Sequence, residues 1–170
     1  MKVLITGSSG VGKSTVIAEL AKRGFTAVDG DEEPDLSRLE VTATGEPTDW
    51  PDKFVDWSYN SWNFNEQILK KVLARNETVF LGAFNGNQTE YYNLFDRLIV
   101  LTVDPEEHLR RMLSRPRQSV NDGPENVTER VKKYPILLQR LLDSGAIPVD
   151  SSSTPDKTVD AILKVIGYAR

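Results

Sequence analysis

Short apolar stretches alternate with amphipathic segments along the chain. The stretches at 2–6, 25–28, 78–81, 97–103 and 146–149 predict buried strands. Between them, apolar residues recur every three or four positions and predict helices at 13–23, 63–75, 104–117, 125–143 and 156–168. Such alternation is typical of a parallel sheet covered by helices on both faces. We therefore predict an α/β three-layer sandwich with a five-stranded parallel sheet, formed by a single domain over 1–170.

Two segments interrupt this alternation. Residues 32–62 are polar and rich in proline, which predicts a cap over a substrate rather than part of the sheet. In or beside this segment lie all three tryptophans and three further aromatic residues, namely Trp50, Phe54, Trp57, Tyr59, Trp62 and Phe64. These rings could stack on a planar ligand, but we expect most of them to pack a small subdomain. Residues 115–124 are polar and predict a short mobile lid.

The stretch from Val3 to Thr15 joins an apolar strand to a helix through a glycine-rich turn. Its glycines, lysine and serine have the spacing GxxxxGK[ST] of a phosphate-binding loop, or P-loop. Glycines let successive backbone N–H groups turn towards an anion, the lysine can reach the outer phosphates, and the serine hydroxyl can ligate Mg²⁺. We therefore predict that a nucleotide is bound by Gly7, Gly10, Val11, Gly12, Lys13, Ser14 and Thr15.

The second predicted strand ends in Asp29-Gly30-Asp31. The carboxyl ends of parallel strands are where α/β sheets bind ligands, so Asp29 could support Mg²⁺ and Asp31 could accept a proton from an attacking hydroxyl. The alternative is a turn with solvated carboxylates. No acidic residue ends the third predicted strand, where a metal-binding aspartate is usual, which gives Asp29 and Asp31 more weight.

Other polar residues are candidates for binding a substrate. Arg38 lies in the predicted cap, and Asn85 and Gln88 lie in the glycine-broken loop after the third predicted strand. Asn85 and Gln88 could equally cap the next turn, and both possibilities stay open. Arg111 and Arg115 share one helix face; they could close over a transferring phosphoryl group or simply favour the helix end.

Composition excludes several classes of protein. The formal net charge of −4 disfavours a general nucleic-acid binder. Without cysteine and with His108 as the single histidine, neither a disulfide framework nor a zinc site is expected. No apolar stretch reaches the roughly 18 residues of a membrane span, and a first strand from Lys2 leaves no room for a signal peptide. We expect a cytoplasmic protein without membrane contact, monomeric or homodimeric.

These motifs together resemble the small P-loop kinases related to adenylate and shikimate kinases. Besides the P-loop, residues 109–115 resemble the helix at the entrance of the adenylate-kinase lid, and 121–131 resemble the lid exit. The resemblance implies a P-loop NTPase fold with a short lid and the use of ATP and Mg²⁺. It implies the following positions: Arg111 near the adenine, Arg115 and Arg130 on phosphates, and Thr154 and Pro155 in the turn at the adenine edge.

The acceptor side departs from the nucleotide-kinase pattern. Asn85 stands where an arginine would bind the phosphate of a nucleotide acceptor. Asp29-Gly30-Asp31 instead resembles the acidic pair of shikimate and gluconate kinases, whose acceptors are hydroxyl groups. The glycine triplet of shikimate kinases does not follow Leu81.

The sequence supports the hypothesis of an ATP- and Mg²⁺-dependent phosphotransferase with a small-molecule acceptor, either nucleoside- or nucleotide-like or a hydroxyl-bearing metabolite. Lys13, Arg115 and Arg130 would stabilise the transferring phosphoryl group, and Asp31 would act on the acceptor hydroxyl. Two alternatives stay open: a regulatory nucleotide-binding NTPase without an acceptor, and a nucleic-acid end kinase. The GTPase sequences Asp-x-x-Gly and Asn-Lys-x-Asp are absent.

Overall fold

Strands and helices alternate along the chain in the computed structural model, which describes residues 1–49, 51, 55–114 and 124–168. In chain order the elements are β1 (Lys2–Thr6), α1 (Lys13–Lys22), β2 (Thr26–Asp29), β3 (Ser37–Val41), β4 (Asn60–Phe64), α2 (Glu66–Leu73), β5 (Val79–Gly82), a 3₁₀ helix (Gln88–Leu94), β6 (Arg97–Thr102), α3 (Pro105–Ser114), α4 (Pro124–Asp143), β7 (Ile147–Asp150) and α5 (Pro155–Val165). Among the described residues, no helix is long and apolar enough to cross a bilayer.

A five-stranded parallel sheet in the order β2-β5-β1-β6-β7 forms the middle layer. Successive residues of a strand point to opposite faces, so β1 supplies both cores. Val3 and Ile5 pack in the cluster that contains residues of α1 and α5, and Leu4 packs in the cluster with residues of α2. This arrangement confirms the predicted three-layer sandwich.

The region between β2 and α2 differs from the prediction. Residues 32–62 contain most of a separate two-stranded antiparallel sheet, because β3 pairs with β4; we call this pair the cap hairpin. The predicted helix at 63–75 therefore begins at Glu66, after the Asn65 side chain has accepted a hydrogen bond from Gln67 N. The strand β3 was missed because its burial does not alternate: the adjacent Leu39 and Glu40 are both buried, and Arg38 is exposed.

The loop after β5 holds the cap hairpin against the sheet. Gly86 N donates to Trp62 O at 2.8 Å, while Asn87 Oδ1 accepts from Phe64 N at 2.8 Å and Asn87 Nδ2 donates to Phe64 O at 3.2 Å. The Asn87 amide thus makes the pair of bonds that a neighbouring strand would make. On β3, the other strand of the hairpin, Ser37 Oγ accepts from Asn85 Nδ2 at 3.0 Å. This bond attaches β3 to the same loop.

We predict that Gly86→Ala destabilises the attachment of the cap hairpin. An added Cβ would overlap the Ser61 hydroxyl and lie 2.8 Å from Asn63 Oδ1, so these two side chains, which are hydrogen-bonded to each other at 2.7 Å, must move. Overpacking of this kind costs about 1–3 kcal/mol in the free energy of unfolding, measurable by urea denaturation. Adding Ser61→Ala should recover part of that loss. Equal stability of Gly86→Ala and the parent protein would contradict the tight contact.

Candidate active site

The P-loop connects β1 to α1 in a conformation that requires glycine. Gly7, Gly10 and Gly12 have φ angles of 137°, 83° and 105°, in the left-handed region that side chains rarely adopt. A Cβ at Gly10 would also lie 2.6 Å from Met112 Sδ on α3. The loop therefore lies directly on α3, as its glycine spacing allows.

Two backbone carbonyls of the P-loop accept hydrogen bonds from side chains of α3 and of the turn after β7. His108 Nε2, on α3, lies 2.7 Å from Ser9 O. The Ser151 hydroxyl, just after β7, lies 2.7 Å from Val11 O and 2.9 Å from Thr102 O. Ser8, Ser9 and Lys13 line a cavity beside the loop. Because its carbonyls are held on the protein side, the loop can present its N–H groups to an anion.

His108, the only histidine of the chain, is fully buried. Its ring makes an edge contact with the Tyr134 ring, with centroids 4.7 Å apart, and Tyr134 Oη accepts from Val103 N at 3.1 Å. Burial lowers the pKa of His108, opposed in part by the bond to Ser9 O. Nδ1 has no hydrogen-bond partner among the described residues, which fits a neutral ring that donates from Nε2.

Arg111 joins the P-loop to the turn after β7. Its guanidinium donates to Glu107 Oε1 at 2.8 Å and to Ser151 O at 2.8 Å, and Nη1 lies 3.4 Å from Val11 O. Bonds from Arg110 and Arg111 lower the pKa of Glu107 to about 2, so this carboxylate stays charged at neutral pH. The structure thus places Arg111 at the turn that carries the exposed Thr154 and Pro155, the side predicted for the nucleotide base.

A cavity of about 630 Å³ lies between the P-loop and the cap hairpin. One wall, formed by the P-loop and α4, contains Ser8, Ser9, Lys13, Arg130, Lys133, Tyr134 and Leu137. The rest of the lining, from the cap hairpin, the segment just before β4 and the turns after β2 and β5, contains Asp31, Trp57, Asn60, Ser61, Trp62, Phe84 and Gly86. We call these the P-loop wall and the cap wall. The volume is typical of a small-molecule site.

Local bonds fix the turn that carries Asp31. Gly30 N donates to Gly82 O at 2.8 Å, and a Cβ at Gly30 would lie 2.9 Å from Ala83 Cβ. Asp29 Oδ1 accepts from Asp31 N at 3.1 Å, which leaves the exposed Asp31 carboxylate on the cap wall. The Asp29 carboxylate is half-buried within the turn and is not part of either wall.

Several predicted site residues lie elsewhere. Arg38 donates to Glu40 Oε1 at 2.6 Å and lines a second, more polar cavity of about 530 Å³ beside α2. Asn85 is buried and bonds to Ser37. Gln88 is buried, its Oε1 accepts from Thr6 Oγ1 at 3.1 Å, and it does not line the cavity. The exposed Ser14 and Thr15 begin α1 as predicted, and Arg115 lies outside the described residues.

Much of the cap wall could not be predicted from the sequence. Trp57 and Tyr59 are 49% and 70% exposed, contrary to the expected packing, whereas Phe64 is buried as expected. Trp57 and Trp62 line the cavity. The concentration of all tryptophans in one polar segment was the available signal, but the register of the cap hairpin decides which rings face the cavity. Trp50 and Phe54 lie outside the described residues.

The donor atoms at the site suit magnesium better than a softer metal. Ser14 and Asp31 offer oxygen ligands, and Mg²⁺ at phosphoryl-transfer sites uses few protein ligands because phosphates and waters complete its shell. No group of three or more His, Cys, Asp or Glu side chains that could hold a metal ion occurs in the described part of the chain.

Comparison with known proteins agrees with this geometry. The family described as an AAA domain matches residues 3–133, and no curated protein sequence matches the chain. A shikimate kinase from Bacteroides thetaiotaomicron has a TM-score of 0.64 at 14% identity and covers 98% of each chain. A deoxyadenosine kinase from M. mycoides with bound dATP has a TM-score of 0.54 at 17% identity, covering 98% of this chain and 100% of that one. A gluconokinase from Sinorhizobium meliloti 1021 has a TM-score of 0.52 at 17% identity, covering 98% and 91%.

At these identities the structural similarity establishes the fold. Each of the three solved proteins is a kinase of a small molecule by its name, and each shares nearly the whole length of this chain. The predicted P-loop NTPase fold and the resemblance to small P-loop kinases are therefore confirmed.

We predict that His108 makes the stability of the protein fall at acid pH. Below the ordinary pKa of 6.5, the unfolded chain binds a proton on this histidine that the buried ring resists. The free energy of unfolding should therefore fall as the pH drops below 6.5 towards the lowered pKa of the folded protein. Urea denaturation between pH 7.5 and 5.5 measures this loss.

His108→Gln is the matched control, since its amide can still donate to Ser9 O but cannot titrate. The difference in stability between the parent protein and His108→Gln should shrink as the pH falls. A constant difference over the whole range would show that His108 does not titrate on unfolding.

Proposed function

The chain belongs to the AAA domain family and has the fold of the small P-loop kinases, and we propose that it is an ATP- and Mg²⁺-dependent kinase that phosphorylates a hydroxyl group of a small molecule. One observation carries this proposal: a single cavity has the P-loop lysine, Lys13, on one wall and the Asp31 carboxylate on the other. Phosphoryl donor and acceptor can therefore meet in one cavity, which is the main requirement of this reaction.

The P-loop wall supports the role of donor site. Lys13 Nζ donates to Gly7 O at 2.8 Å and Ser8 O at 3.1 Å, which holds its ammonium over the loop. The helix that follows the loop adds the positive end of its dipole. Arg130 lines the same wall and, together with the proposed Arg115, would offset charge on the transferring phosphoryl group. The nucleotide base would lie by Arg111, Thr154 and Pro155.

The cap wall supports the role of acceptor site. In the proposed step, the acceptor hydroxyl oxygen forms a bond to the γ-phosphorus of ATP while the bond from that phosphorus to the bridging oxygen of ADP breaks. Asp31 takes the hydroxyl proton, and the phosphorylated acceptor and ADP leave. The bonds of Asp29 and Gly30 support this proposal, because they hold the backbone of the turn that carries Asp31.

Magnesium would be held by Ser14 and the nucleotide phosphates, with Asp29 or Asp31 contributing through water. When bound, it supplies positive charge that neutralises the phosphates. The other catalytic groups in the step are side chains of the protein.

The structural neighbours support a kinase in general and differ in acceptor. Their names indicate deoxyadenosine, shikimate and gluconate, all of which carry hydroxyl groups. ADP release from ATP with a panel of such acceptors tests the proposal. Release at one rate with and without every compound would indicate a nucleotide-binding NTPase without an acceptor. Transfer to oligonucleotide ends alone would indicate a nucleic-acid end kinase.

We predict that Lys13→Ala abolishes phosphoryl transfer, with a loss of at least about 100-fold in kcat, because the charge beside the outer phosphates disappears. Radiolabel transfer from ATP to the acceptor measures the rate, and circular dichroism checks the fold. Lys22→Ala on the same helix is the control, since this exposed lysine pairs with Glu19 on the surface of α1 and should keep full activity. Equal rates for Lys13→Ala and Lys22→Ala would refute the donor site.

We predict that Asp31→Asn lowers kcat by about 10²- to 10⁴-fold and leaves ATP binding within a few-fold of the parent value. The amide keeps the size of the side chain but accepts no proton at neutral pH. Steady-state kinetics and a separate ATP titration measure the two effects. The neighbouring exposed Glu32→Gln is the control, because Glu32 lines neither wall. If Asp31→Asn behaves like Glu32→Gln, Asp31 is not the base.

A further inference from the structure

The two walls of the cavity differ in their chemistry. The P-loop wall carries Lys13, Arg130 and Lys133, all cationic. Among the described residues of the cap wall there is no lysine or arginine; its charged member is the Asp31 carboxylate, and Asn60 and Ser61 are neutral. Among the described lining residues, positive charge therefore lies only on the side where the phosphates of the donor would lie.

The apolar part of the cap wall is aromatic. Trp57, Trp62 and Phe84 all line the cavity, and Trp57 is 49% exposed. Phe64 of the cap hairpin, by contrast, is 2% exposed and belongs to the hydrophobic core. An exposed indole on a cavity wall offers a large apolar face whose burial by a flat ligand is favourable.

The rings are carried by backbone that the rest of the protein fixes. Trp62 lies opposite Leu39 in the hairpin register, and its carbonyl accepts from Gly86 N. Phe84 lies in the same loop as Gly86, directly after β5. Because the ordering cost of this backbone is met on folding, the aromatic surface is preformed for a ligand.

The cap wall also disfavours an anionic acceptor. A phosphate or carboxylate on the acceptor would lie against a wall without cations among its described residues and near the like charge of Asp31. Asn60 and Ser61, by contrast, can donate to and accept from the edge of a neutral heterocycle or its hydroxyl groups.

Resting on the proposed kinase function, we propose that the acceptor is an unphosphorylated nucleoside, whose flat heteroaromatic base lies against Trp57, Trp62 and Phe84 and whose sugar hydroxyl faces Asp31. The base brings the planar apolar face, and the sugar brings the hydroxyl that receives the phosphoryl group. The atoms exchanged are those of the transfer step described above.

Direct binding tests the acceptor class without requiring turnover. Isothermal titration of the full chain would compare nucleosides with their 5′-monophosphates, gluconate and shikimate. This set separates flat from non-planar and neutral from anionic ligands. The structure predicts that at least one nucleoside binds at least about tenfold more tightly than its monophosphate and than either acid.

Variants on the cap wall make the test specific. Trp57→Ala and Trp62→Ala should each weaken nucleoside binding by about 5- to 150-fold, the range for loss of base stacking. Trp57→Phe, which keeps a flat ring, should retain most of the affinity. Tyr59→Ala is the matched control, because this aromatic residue of the same segment is 70% exposed and lines no part of the cavity; its nucleoside affinity should be unchanged.

The outcomes distinguish this inference from the proposed function. Tighter binding and faster phosphorylation of gluconate or shikimate would overturn the nucleoside assignment while the kinase function stands. A loss with Tyr59→Ala equal to that with Trp57→Ala would overturn the role of the aromatic wall. Nucleoside binding that depends on Trp57 and Trp62, with no transfer to any compound, would support the binding site and overturn the kinase function.

Discussion

The P-loop depends on hydrogen bonds that hold two of its carbonyl groups, those of Ser9 and Val11, on the side of the protein. Ser9 O is bound by His108 and Val11 O by Ser151, so segments distant in sequence determine the shape of the loop. A glycine-rich loop alone has many conformations, and fixing them costs about 1–2 kcal/mol per residue. Buried partners meet that cost on folding, before any phosphate binds.

The same principle extends to the acceptor side. Gly86 and Asn87 attach the cap hairpin to the end of β5, and Gly30 brings the Asp31 turn against Gly82 and Ala83. Both attachments start from β5, which lies next to β1 in the sheet. The attachment of the cap hairpin and the P-loop are consequently held at the ends of adjacent strands, β5 and β1.

Much of this could be predicted from the sequence, for identifiable reasons. The five central strands and the P-loop are local patterns of apolar residues and glycines. The cap hairpin was not predicted, because its strands are polar and are separated by a long segment. Leu39 and Trp62 meet only through this long-range pairing. Placement of Arg38 and Gln88 depends on which face of a strand or loop is turned inward, and composition gives no information on that.

The roles of His108 and Ser151 were equally out of reach. A histidine in a helix and a serine in a Ser-rich turn look like ordinary surface residues, and their partners lie 99 and 140 positions away. The aromatic part of the cap wall could be predicted in part. The sequence shows the cluster of tryptophans but not which of them line the cavity.

Initial-rate kinetics with both ATP and the best acceptor varied is the most direct test of the central claim, that donor and acceptor meet in one cavity. Direct transfer within a complex of both substrates predicts lines that intersect in a double-reciprocal plot. Parallel lines would mean that ADP leaves before the acceptor binds, and would contradict a site in which Lys13 and Asp31 act on the two substrates together.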